Sequence, residues 1–220
     1  MRSLTDTLPA RADRLVVLLP PAQTQPEDYV AQGFVAALRA RGLTADVQIP
    51  ALDYTHVMAR RVIELLDTAV LAPARAAGYR EIWLAGISLG AHNALLCAAA
   101  REAQLAGLCL IAPYVGTGDV IAEIRAAGGP RAWAASGAGM ADERVFWHWL
   151  ARRDGQAAPL PLWFGTGAED RFVRGQKMLA ELLPANAVHF APGRHDWPTW
   201  LSLWNHWLDH GPLARAGDAA

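Results

Sequence analysis

The sequence predicts an α/β protein: a three-layer α/β/α sandwich on a mostly parallel, six-stranded sheet, formed by a single domain spanning residues 1–220. Three observations lead there. Short apolar runs alternate with segments of helical periodicity along nearly the whole chain. Each run is almost continuously apolar rather than alternating with polar residues, which is how a strand reads when both of its faces are covered. Finally, no long Pro/Ser/Gly linker divides the 220 residues, so one core accounts for the length.

Residues 14–19 form the first expected strand, ended by Pro20 and Pro21. Thr24-x-x-Glu27 reads as a capping box, with Pro26 in the first turn of a helix running to about Arg41 and Gly42 stopping it. A second strand over residues 44–49 ends at Pro50. From about Thr55 to Val70, Met58, Val62, Leu65, Leu66 and Ala69 recur at helical spacing while Arg60, Arg61, Glu64 and Asp67 face elsewhere. Pro73 then kinks or ends that helix. A strand leads into Ser88, a helix follows to about Ala103, and strands are expected over residues 108–111, 160–164 and 188–190. Trp200, Leu203, Trp204, Trp207 and Leu208 mark one face of a last helix.

Charge excludes some classes of partner. With 20 Lys and Arg against 21 Asp and Glu, scattered rather than clustered, the chain has no electrostatic footprint for nucleic acid or an anionic membrane. Small uncharged substrates fit better. Residues 1–9 lack the apolar core of a signal peptide and no later run reaches membrane-spanning length, so a cytoplasmic protein without membrane insertion is expected. Cys97 and Cys109 lie in apolar segments and read as buried hydrophobes. No His/Cys/Asp/Glu spacing resembles a metal site, and no cofactor is called for.

The chemistry centres on Gly86-Ile87-Ser88-Leu89-Gly90, a G-x-S-x-G pattern between an apolar run and an Ala/Leu-rich helical segment. A strand reversing sharply into a helix crowds the residues two before and two after the turn, which accounts for both glycines. The turn lifts its middle side chain above the sheet, beside the free N–H groups and positive dipole end of the helix. Ser88 is therefore a candidate nucleophile. A serine hydroxyl is a poor nucleophile at neutral pH, so a base and a group that orients the base must come from other strand ends.

The order of elements and this motif resemble the α/β-hydrolase superfamily over about Leu15 to Asp209, in a compact form lacking the two strands that members often carry before the one at residues 14–19. The resemblance implies a serine esterase with Ser88 as nucleophile, Asp170 of a G-x-x-D-x-x-V pattern as acid, and His195, directly before the last helix, as base. Glu169 and Asp119 are the competing acids; Asp196 reads as a helix cap, His189 as structural, and His92 as a packing or pocket-wall residue. The oxyanion donors implied are the N–H of Leu89 and, from the loop after the first strand, that of Ala22, with Gln23 as fallback because Pro21 has no N–H. Relatives place a cap between the fourth and fifth strands, here residues 113–158. Its Trp133, Phe146, Trp147 and Trp149 either line an apolar substrate site or anchor the insert, and its Gly128-Gly129-Pro130 and Gly137-Ala138-Gly139 could let it move. Gln23, Trp133 and Trp147 are the substrate-binding candidates. The activity implied is hydrolysis of carboxylic esters, thioesters included, of a small-molecule substrate; acyl transfer to another acceptor, another activity on the same fold, or a non-catalytic ligand-binding protein are the alternatives.

Overall fold

The computed structural model describes residues 1–137, 139–153 and 156–215. Residues 138 and 154–155 of the expected insert, and 216–220 of the expected domain, thus lie outside the described residues.

One sheet organises the chain. Its strands are β1 (Ser3–Asp6), β2 (Arg14–Leu19), β3 (Asp46–Pro50), β4 (Glu81–Ile87), β5 (Gly107–Ile111), β6 (Leu162–Gly167) and β7 (Val188–Ala191), in spatial order β1-β3-β2-β4-β5-β6-β7. All neighbours are parallel except β1 and β3, whose antiparallel register runs from Ser3 opposite Pro50 to Asp6 opposite Val47. The sheet therefore has seven strands and not the expected six: β1 stands ahead of the strand at residues 14–19, where none was expected. Ser-Leu-Thr-Asp gave no continuous apolar run because an edge strand buries one side chain in two: Leu4 packs on the core while Ser3 accepts from the Gln48 amide at 3.2 Å.

Side chains along β2 alternate between two cores, which is why its sequence is apolar throughout. Leu15, Val17 and Leu19 face one layer; Val16 and Leu18 face the other. The second layer consists of α1 (Pro26–Ala31), α2 (Phe34–Ala40) and, from the far end of the chain, the tryptophan face of the last helix. The expected single helix breaks at Gly33, whose φ of +84° only glycine adopts cheaply. Its start also differs from the expected capping box: Asp28 accepts the Gln25 N–H at 2.7 Å, whereas the Thr24 hydroxyl donates to the Pro21 carbonyl.

The first layer begins with α3 (Tyr54–Met58) and α4 (Val62–Leu66), separated at Arg60, whose φ is +54°. A π-helical turn over Asp67–Leu71 then joins α4 to α5 (Ala72–Ala76). Pro73 does not end the helical run there. It has no N–H for the Ala69 carbonyl, and the wider turn leaves that carbonyl to the Gln48 amide at 3.5 Å. Next comes α6 (Leu89–Arg101), then α7 (Gly118–Ala126), α8 (Pro130–Ala135) and α9 (Arg144–Arg152) of the insert, and α10 (Val173–Ala180). The aromatic face of α9 is sunk in this layer against α6: Phe146, Trp147 and Trp149 are buried, and the Trp147 indole N–H donates to the Val115 carbonyl at 3.0 Å. Trp133 is buried as well, its N–H on Glu123 Oε1 at 2.7 Å. Among the described residues, no helix is long and apolar enough to cross a membrane.

The last helix, α11 (Trp197–His210), carries His206 and His210 beside His189 of β7. Their rings stack in a column, with centroids 3.7 Å apart for His189 and His206 and 4.5 Å for His206 and His210; Trp163 of β6 lies 6.0 Å from His206. Burial pushes the His189 and His206 imidazoles below their ordinary value of 6.5, neighbouring imidazoles push the same way, and Asp209 opposes this at His206. The native state thus holds these rings neutral, while the unfolded chain takes up protons from about pH 6.5 downward. Stability is accordingly complete above that pH and declines as pH falls through it. The expected result is a thermal midpoint that drops between pH 7.5 and 5.5, with a smaller drop in His206→Gln; an equal drop in the variant would reject the column as its source.

Candidate active site

Ser88 stands at the turn from β4 into α6 with φ +52° and ψ −111°, a conformation that costs a non-glycine residue ~1–3 kcal/mol and must be held by its surroundings. Here the ties are backbone hydrogen bonds. The Ser88 N–H donates to the Ile111 carbonyl at 2.9 Å, and its carbonyl accepts the N–H groups of His92 at 3.1 Å and Tyr114 at 3.0 Å. A Cβ on Gly86 would overlap the backbone of Gly90 and Ala91, and one on Gly90 would overlap the Leu19 carbonyl at the end of β2. Both glycines of the motif are therefore required by close approach of backbone. Gly90→Ala should cost ~1–3 kcal/mol or more, since only movement of β2 against α6 relieves the clash. An unchanged denaturation midpoint for that variant would contradict this packing.

Asp170 lies in the turn that leaves β6, its side chain fully buried. Its Oδ1 accepts the Phe172 N–H at 2.8 Å. His195 follows β7, in a loop tied to the acid turn by the Ala168 N–H on the Ala191 carbonyl and the Glu169 N–H on the Gly193 carbonyl. The two side chains meet at 2.6 Å, His195 Nδ1 to Asp170 Oδ2, and His195 Nε2 lies 2.9 Å from Ser88 Oγ. An ionised carboxylate can only accept, so Nδ1 carries the proton and the neutral ring presents Nε2 to the serine hydroxyl, which donates to it. Rings of Phe172 and Trp200 stand edge-on to the imidazole at 5.1 Å and 5.0 Å and fix its plane. Sequence reasoning missed both, although Phe172 falls inside the acid pattern and Trp200 in the first turn after His195.

A tripeptide beyond β5 connects the two halves of this array. The Ala112 N–H donates to the Gly165 carbonyl at 2.7 Å, and the Pro113 carbonyl accepts the Gln176 amide at 3.1 Å. Gln176 in turn accepts the Thr166 hydroxyl at 2.7 Å beneath Asp170. Tyr114 holds Ser88 through its N–H and His92 through its carbonyl, 3.1 Å from His92 Nδ1.

The other expected residues lie as follows. Glu169 is exposed and pairs with Arg194 at 3.5 Å; Asp119 is exposed in the first turn of α7; Asp196 caps α11 through the Thr199 N–H at 3.1 Å. Leu89 is the first residue of α6, where an N–H has no intrahelical acceptor. Ala22 and Gln23 are exposed in the turn after β2, Gln23 with φ +62°; Leu19, the last residue of that strand, pairs with Gly86.

A cavity of about 560 Å³ abuts the elbow at Leu89 and His92. Its apolar wall comes from Val57, Met58, Val62, Ile63, Leu96 and Val145, and its polar wall from Arg60, His92, Tyr114, Thr117, Asp142 and Glu143. Trp133 and Trp147, expected at the substrate, do not reach it: their rings are enclosed in the core and their N–H groups already bonded. Gln23 is not in its lining either. Nothing in the sequence marked Tyr54 to Ile63 or Glu143, because no motif surrounds them. A larger cavity, about 620 Å³, opens where β6 begins, lined by Pro161, Leu162, Trp163 and His210, away from the Ser88 end of the sheet. Among the described residues, no group of three or more His, Cys, Asp or Glu is placed to hold a metal ion. Burial pushes the Cys97 thiol up to about 12 and the Cys109 thiol well above its ordinary value, so neither supplies a thiolate.

No family model and no curated protein matches the sequence. Solved structures do match the fold. Est1E from Butyrivibrio proteoclasticus superposes with a TM-score of 0.65 over 98% of this chain and 94% of that one, at 13% identity. A monoacylglycerol lipase from Paleococcus ferrophilus gives 0.61 over 97% and 99%, at 14% identity. MGS-MChE2, an alpha/beta hydrolase enzyme from a lagoon-sediment metagenome, gives 0.58 over 94% of each chain, at 15% identity. With its antiparallel edge strand, its parallel sheet and a serine on the turn between β4 and α6, the chain has the α/β-hydrolase fold.

Proposed function

We propose that this protein is a serine hydrolase that cleaves carboxylic esters, thioesters included, of small and largely apolar substrates. The observation that carries the reading is the continuous hydrogen-bonded line from Ser88 Oγ through both nitrogens of His195 to a buried Asp170. In this reading Ser88 attacks the ester carbonyl as His195 Nε2 takes its proton, then returns that proton to the leaving alcohol or thiol. Water, deprotonated by the same imidazole, releases the acid and restores the hydroxyl. Asp170 keeps the proton on Nδ1 and stabilises the imidazolium between steps. The tetrahedral oxyanion is assigned to the Leu89 N–H and, across the turn after β2, to the Ala22 N–H, where losing one donor typically costs ~100-fold or more in turnover.

Likeness in fold to a lipase supports the reading without fixing a substrate. Two buried, unpaired cysteines fit a reducing compartment and so support the cytoplasm as the place of reaction. The test is a fluorophosphonate probe, expected to label the native protein at Ser88 and to leave Ser88→Ala unlabelled. Release of p-nitrophenol from short and long acyl esters then ranks chain length, and product analysis with an added alcohol separates hydrolysis from acyl transfer. A native protein that neither takes the probe nor releases p-nitrophenol would be a binding protein, and the proposal would fail.

A further inference from the structure

We infer that the cavity beside Leu89 selects substrates whose buried substituent ends in a hydrogen-bond donor, an ammonium first and a hydroxyl second, and that Glu143 sets this preference. The inference rests on the serine hydrolase reading and adds to it the chemical class of the group bound next to the nucleophile.

The polar wall of this cavity offers acceptors. Glu143 Oε1 accepts both the N–H of Thr117, at 2.9 Å, and its hydroxyl, at 3.1 Å. Both bonds fall on the same oxygen. Oε2 has no hydrogen-bond partner among the described residues, although Glu143 is only partly exposed and lines the cavity. His92 adds a second acceptor. Its Nδ1 faces the Tyr114 carbonyl at 3.1 Å, a group that can only accept, so Nδ1 bears the proton and Nε2 is left with a lone pair. Burial pushes the His92 imidazole below its ordinary value, which keeps the ring neutral. Burial alone would push the Glu143 carboxyl up, but the Thr117 N–H, its own nearby N–H and the Thr117 hydroxyl outweigh it and hold it below the ordinary carboxylate range.

Charge at the cavity points the same way. Arg60, the cation in the lining, is paired with Asp142 at 2.5 Å and is mostly exposed, so it does not neutralise Glu143. The remaining wall is aliphatic or aromatic, with Tyr54 and Tyr114 offering ring surface that accommodates an alkyl chain or a cation. A carboxylate brought here would face the like charge of Glu143 and the lone pair of His92, and the donors nearest to answer it, the phenols of Tyr54 and Tyr114, are uncharged. An ammonium would meet a carboxylate oxygen and an imidazole nitrogen, each with an unused lone pair.

The test is protection of Ser88 against a fluorophosphonate by n-hexylammonium, hexan-1-ol and hexanoate, compared in wild type and in Glu143→Gln. The amide keeps an oxygen for Thr117, and an unchanged thermal midpoint would show that the fold is kept. In wild type, n-hexylammonium should half-protect at a concentration about tenfold or more below hexanoate, with hexan-1-ol between them. In Glu143→Gln that ratio should fall to about threefold or less. Labelling of Ser88 with no preference for the ammonium, or with a preference that survives in Glu143→Gln, overturns this inference alone. No labelling of Ser88 in any sample overturns the serine hydrolase reading, and this inference with it.

Discussion

Ser88→Ala is expected to reduce turnover of p-nitrophenyl esters by ~10⁴ to 10⁶, and His195→Ala by a similar factor, with the double variant no worse than either alone. The non-additivity follows from geometry. Ser88 Oγ and His195 Nε2 share one hydrogen bond of 2.9 Å, so an imidazole without the hydroxyl has nothing to activate, and a hydroxyl without the imidazole stays protonated. Neither side chain holds the fold together: the turn is kept by backbone bonds of Ser88 to Ile111, His92 and Tyr114, all of which alanine retains. Activity should therefore vanish while the circular dichroism spectrum and thermal midpoint stay close to wild type. Factors that multiply in the double variant would show two independent contributions and would contradict a shared proton path.

Asp170→Asn is expected to cost ~10⁴ in kcat with a small change in KM. The amide is nearly the same size, so the Phe172 N–H can still be satisfied by the remaining oxygen. The difference lies at the 2.6 Å contact. An NH₂ turned toward His195 Nδ1 demands a lone pair there and drives the proton to Nε2, which then cannot accept from Ser88. The same exchange at Glu169 or Asp119 should leave kcat within about twofold, since both are solvated surface charges. If Glu169→Gln or Asp119→Asn carried the loss and Asp170→Asn did not, the acid would be misassigned.

Much of the architecture could be read because parallel strands covered on both faces leave continuous apolar runs, and residues 14–19, 82–86 and 108–111 fall inside or on observed strands. β1 could not be read that way, being an edge strand of mixed character. β6 extends past Phe164 through Gly165, Thr166 and Gly167, residues with loop propensity that lie in a strand because small side chains are needed against Trp163 and the Gly193 backbone. The helix breaks at Gly33 and Arg60 and the π turn ahead of Pro73 depend on tertiary packing, which periodicity does not report. At the site, Ser88, Asp170 and His195 could be placed because each sits in a motif whose spacing reflects a strand end. Trp133 and Trp147 anchor the insert, the other of the two roles open to them, and the sequence does not decide between these because an aromatic-rich insert has the same composition whether its rings face a ligand or a core. Tyr114 and Glu143 carry no sequence signal at all, since their role depends on how residues of the insert come to rest beside α6.

The segment Ala112-Pro113-Tyr114 reaches the nucleophile through Tyr114 and the acid through Pro113, Gln176 and Thr166. Three residues that neither take nor give a proton therefore act as a common ruler for both ends of the proton path. Adjusting one end alone, by directed evolution or by transplanting an acid turn from a related enzyme, would disturb the other unless this ruler travels with it.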